Sequence, residues 1–117
     1  MTATSAGELA RARALLGAEL RESDFQAEVI SAAQLLGWAV SHTRDSRGSH
    51  PGWPDVALCK PPQLLLLELK TERGTVTEPQ GAWVERLNRC STVEALVARP
   101  SMWDQIEAVL KGAPVAP

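Results

Sequence analysis

DVALCKPPQLLLLELKT, residues 55–71, holds two apolar runs split by Pro61-Pro62. A proline pair cannot sit inside a paired strand, so the runs Asp55 to Lys60 and Leu64 to Thr71 read as two strands joined by a turn. If the turn is centred on the prolines, facing residues carry numbers summing to about 123, which sets Asp55 opposite Glu68 and within reach of Lys70. Strand side chains alternate between faces, so Glu68 and Lys70 share one side while Leu67 and Leu69 take the other. A slip of one residue would turn Asp55 away from Glu68.

The flanking pattern is helical on both sides. Phe25, Val29, Ala32, Ala33 and Leu36 recur at helix spacing from Glu22 onward, with Gly37 as the stop. Trp38 to Thr43 reads as a strand and Arg44 to Trp53 as a loop. After Gly74, Thr77 and Gln80 have the spacing of a capping box, and Trp83, Val84 and Leu87 form the stripe of a second helix. Val93 to Ala98 is a fourth strand. Ser101 and Asp104 repeat the capping spacing before Trp103, Ile106, Val109 and Leu110, and Gly112 ends that helix. The order α-β-β-β-α-β-α, without repeat or linker, is an α/β domain: a mixed central sheet of about four strands flanked by helices. Residues 1–20, rich in Ala, Leu, Glu and Arg, read as an N-terminal helical arm or the first turns of a longer helix, 21–112 as the domain, and 113–117 as a frayed, flexible tail.

The 117-residue chain suffices for one modest core, with 44% hydrophobic residues. It lacks an apolar run long enough to cross a bilayer and starts without a signal-peptide pattern, which leads to an expectation of a cytoplasmic protein and no membrane. The net charge of −2 argues against coating of nucleic acid by bulk electrostatics but not against a nuclease, whose site collects carboxylates. Cys59 and Cys90 fit no zinc or disulfide framework and read as inert packing residues.

Burying Glu68 and Lys70 in an apolar strand costs several kcal/mol unless each is satisfied by the other, by metal or by substrate; a solvated edge is the plainer alternative. Two converging carboxylates repel unless a cation or proton intervenes, and hard oxygen donors suit Mg²⁺ or Mn²⁺. Such a site supports phosphodiester hydrolysis, with Lys70 orienting the nucleophile or offsetting charge on the phosphorane. Glu22 continues the stripe of the first helix, whereas Glu28 falls off it, so Glu22 is the helical candidate; the alternative for Glu22 is a first-turn acid favoured by the helix dipole. Gln80 serves either the site or the capping box. Arg44 and Arg47, with His42 and His50, form a candidate phosphate-contacting lip or a solvated loop. The histidines lack partners at zinc spacing. Trp83 and Trp103 read as core, and Trp53 as the tryptophan placed for substrate contact.

Gly52-Trp53-Pro54-Asp55, Glu68-Leu69-Lys70, the turn Gly74-x-x-Thr77-x-x-Gln80 and the closing Arg99-Pro100 resemble, in this order, the signature of the PD-(D/E)xK nuclease superfamily, and in particular its VRR-NUC branch. Trp53 stands where a Phe is expected. The resemblance implies a restriction-endonuclease-like core, Mg²⁺ or Mn²⁺ dependence, and an endonuclease acting on DNA, often on branched forms such as four-way junctions or flaps. It implies Glu22, Asp55 and Glu68 as metal-site acids, the Leu69 carbonyl as a further metal ligand, Lys70 as catalytic lysine and Gln80 as a supporting catalytic residue. It also implies a homodimer, for which Leu9 to Leu20 offers apolar surface, the alternative being that this stripe packs on its own domain. A non-catalytic DNA-binding module of the same fold and an RNA-directed nuclease are the alternatives.

Overall fold

The computed structural model describes residues 21–43 and 50–115. The expected arm at 1–20 and both arginines of the expected lip, Arg44 and Arg47, lie outside the described residues. The elements are α1 (Glu22–Leu35), β1 (Ala39–His42), β2 (Val56–Lys60), β3 (Gln63–Leu69), α2 (Glu78–Asn88), β4 (Val93–Ala98), a 3-10 turn (Pro100–Met102) and α3 (Trp103–Leu110). This is the order expected from the sequence.

The sheet runs β1-β2-β3-β4, antiparallel at the first two junctions and parallel between β3 and β4. Val56 pairs with Leu67 and Lys60 with Gln63, so the hairpin has the register that the proline turn dictates. A parallel neighbour demands a crossover, and α2 supplies it. Central β3 is buried from Leu65 to Leu69, as an apolar run interrupted only by Glu68 requires when both faces are covered.

On one face, Val56, Leu58, Leu65, Leu67, Leu69 and Ala98 meet Phe25, Val29 and Ala33 of α1 and Trp103, Ile106, Val109 and Leu110 of α3. Gly37, at φ +93°, ends α1 and lets the chain turn into Trp38, whose indole N–H donates to the Leu110 carbonyl at 2.8 Å. Leu66 and Ala95, buried outside that cluster, lie on the opposite face. There α2 packs along β4, and the Asn88 amide grips both the N–H and the carbonyl of Ala95 at 2.8 and 2.9 Å.

Several expectations need correction. No residue of α2 is fully buried: the helix packs along β4 with its stripe only partly covered by the described residues, so Trp83 is half-buried rather than core. Cys59 and Cys90 are free and exposed, not packed. The last helix has no side-chain cap, because the 3-10 turn draws Ser101 into its own backbone. In the expected tail, Val115 packs against the core and its N–H donates to the Glu94 carboxylate. No helix among the described residues is long and apolar enough to cross a membrane.

Candidate active site

Asp55 directly precedes β2, and its carbonyl accepts from the Thr43 N–H at 2.9 Å, which continues the ladder with β1. One step beyond the Val56–Leu67 pair, the register brings Asp55 opposite Glu68. One oxygen of the Asp55 carboxylate, Oδ2, accepts the Leu69 N–H at 3.0 Å, so an amide at the end of β3 fixes the acid on β2. Lys70 follows the last residue of β3; its own N–H donates to the Ala98 carbonyl at 2.9 Å, and its ammonium stands 3.9 Å from Glu68 Oε1. That separation is an ion pair without a hydrogen bond.

Glu68 is only 1% exposed, and its second oxygen, Oε2, has no hydrogen-bond partner. Burial, then the negative charge of Asp55, push its pKa from 4.5 to about 7; Lys70 opposes the shift and the charge of Glu22 adds to it. Such a group is relieved by a proton or by a cation. Among the described residues no three His, Cys, Asp or Glu side chains form a metal cluster. The donor set here is smaller: two carboxylates, of which one keeps an orphaned oxygen. Mg²⁺ is commonly held by one or two carboxylates, with water and substrate phosphate completing the shell, so Asp55 and Glu68 fit it.

The other expected site residues fall at different removes. Glu22 opens α1 and is exposed, yet its charge reaches Glu68. Leu69 lies within the buried strand and meets Asp55 through its N–H. Gln80 completes the capping box, accepting from the Thr77 N–H through Oε1 at 2.9 Å while its N–H donates to Thr77 Oγ1 at 3.3 Å. Its side-chain oxygen is thereby engaged in starting α2.

The loop ahead of Asp55 is seated on that same helix start. Gly52 has φ +86°, and a Cβ there would lie 2.4 Å from the Pro79 carbonyl carbon and 2.6 Å from the Gln80 nitrogen. Only glycine permits this approach. The Trp83 indole N–H donates to the Pro51 carbonyl at 3.1 Å, Pro54 is fully buried, and Trp53 meets Trp83 edge-on with centroids 5.0 Å apart.

A brace on the other side of the site gave no periodic signal in the sequence. The Arg99 guanidinium donates to the Thr71 and Glu72 carbonyls at 2.6 and 3.1 Å, and the Glu72 carboxylate accepts from the Ser101 N–H. Together these contacts bind the chain just past Lys70 to the end of β4. The conjunction Arg99-Pro100 was visible in the sequence, but not what the arginine holds.

The arrangement therefore offers two converging acids, a neighbouring ammonium and a rigid loop, the parts needed to bind and polarise a phosphodiester. No curated protein and no solved structure matches the chain. The model of the VRR-NUC domain matches residues 10–101, most of the chain, a span that contains Asp55, Glu68 and Lys70. With a mixed four-stranded sheet and three α-helices among its described residues, the chain belongs to the VRR-NUC domain family, with a restriction-endonuclease-like α/β fold and nuclease-type activity.

Proposed function

We propose that the protein is a Mg²⁺- or Mn²⁺-dependent endonuclease that hydrolyses DNA phosphodiester bonds, with a preference for branched DNA such as four-way junctions or flaps. The observation that carries this reading is the buried, unpartnered oxygen of Glu68 beside Asp55 and Lys70. A bound divalent ion would offset the charge of the phosphate and make water more acidic. Asp55, anchored by the Leu69 N–H, and Glu68 would hold that ion, with the Leu69 carbonyl and Glu22 as the further ligands that the family resemblance implies. Lys70 orients the attacking water or offsets charge that develops on the phosphorane, and Gln80 supports the site from the start of α2. A two-fold homodimer would present two such sites to the two strands of a junction.

The test is cleavage of labelled four-way-junction, flap and linear duplex DNA, with matched RNA, in Mg²⁺, Mn²⁺ or EDTA, using wild type beside Asp55→Ala. Metal-dependent cutting of DNA that disappears in the variant is expected. Binding without cutting on any substrate would instead identify a non-catalytic module. Sedimentation at working concentration reports whether the chain dimerises.

A further inference from the structure

We propose that Trp53 is a stacking platform for an unpaired base beside the scissile phosphate, so that the substrate is DNA with a splayed nucleotide at the cut. The inference rests on the nuclease reading above and supplies its specificity element. Among the described residues three large apolar side chains are exposed: Leu35, Leu64 and Trp53. Leu35 ends α1 and Leu64 lies at the turn end of β3, away from Glu68. Trp53 is different: it stands two residues before Asp55 with 39% of its surface free.

Its setting is built rather than floppy. Buried Pro54 behind it, the close approach of Gly52 to Pro79 and Gln80, and the Trp83-to-Pro51 hydrogen bond fix the loop. Trp83 supports the indole edge-on at an interplanar angle of 83°, and exposed Arg86 lies 5.2 Å from the Trp83 ring centroid. A pre-set aromatic, with a guanidinium over the Trp83 ring that supports it, matches what a single-stranded nucleotide offers, a π-face and a phosphate. Every base has such a face, so the contact is tolerant of sequence. A base inside an intact duplex is already stacked on both sides and has no face to offer. Discrimination therefore falls between paired and unpaired, and it follows from the position of Trp53 next to the acids.

The experiment places 2-aminopurine at the unpaired branch point of a flap DNA, and at a paired position of a linear duplex, and follows its fluorescence on binding in EDTA. Wild type, Trp53→Phe and Trp53→Ala are compared, and the flap-to-duplex cleavage ratio is measured in Mg²⁺. Wild type should quench the flap probe, Trp53→Phe should keep most of the quenching, and Trp53→Ala should lose it, with the cleavage ratio falling roughly tenfold. Unchanged quenching and ratio in Trp53→Ala would overturn the proposal. An equal loss on both substrates would also overturn it, because it would mean only that the loop holding Asp55 had shifted. Absence of cleavage by wild type defeats the nuclease reading, while the EDTA fluorescence still decides the stacking.

Discussion

Leu67 and Glu68 are neighbours on one strand, each 1% exposed, and their burial has opposite thermodynamic sign. Leu67 faces the cluster formed with α1 and α3, where removal from water stabilises the fold by about 2 kcal/mol for a side chain of its size. Glu68 faces Asp55 and Lys70, where the same removal disfavours its charged form. The apolar face of β3 holds the strand in place, and the polar face uses that rigidity to keep two acids closer than they would stay in water. Burial by itself says nothing about whether a residue serves stability or chemistry.

The two faces are separable by substitution. Lys70→Ala should reduce cleavage on the order of a thousandfold, a loss typical of removing a charge-stabilising group, while the unfolding midpoint stays near that of wild type. Full activity in that variant would break the assignment of the polar face. Leu67→Ala should do the reverse and lower unfolding free energy by about 3 kcal/mol in a denaturant titration, through lost transfer energy and the cavity left behind. A loss below about 1 kcal/mol would mean that the face repacks.

Glu68 sharpens the contrast through pH. Its folded pKa is raised, so its contribution to stability is fully present below the unfolded value of 4.5 and is lost as pH rises through about 7. The loss approaches about 3 kcal/mol for the whole shift. Glu68→Gln should therefore be more stable than wild type at pH 8 by roughly 2 kcal/mol without metal, and inactive. Mn²⁺ should narrow that gap by stabilising wild type alone. Thermal melts at pH 5 and pH 8, with Mn²⁺ or EDTA, measure both, and a wild type that grows more stable from pH 5 to pH 8 in EDTA would contradict the buried acid pair.

Much of this was legible because it depends on local rules. Pro61-Pro62 fixed the hairpin register and with it the Asp55–Glu68 pairing; Thr77 and Gln80 announced the start of α2; Phe25, Val29 and Ala33 marked the buried side of α1. What escaped depends on depth and on distant partners. A helical stripe tells which side of α2 turns inward, but not how deep the helix sits, and Trp83 is half-buried rather than core. The exposure of Cys59 and Cys90 follows from where strand and helix ends emerge. Arg99 and Gly52 act on backbone far away in sequence, the one on Thr71 and Glu72, the other against Pro79 and Gln80. Such contacts leave no periodicity.

Adjacent amides at the end of β3 are held by bonds of very different reach. The Leu69 N–H is bound to Asp55 within the hairpin, whereas the Lys70 N–H is bound to Ala98, beyond the entire α2 crossover. Closing the longer loop costs more chain entropy, so the order of assembly is expected to follow. As the chain folds, the acids meet first, and the lysine is locked only once β4 has docked. Pulse-labelled hydrogen exchange should then protect the Leu69 amide before that of Lys70, and simultaneous protection would mean that the site forms in a single cooperative step.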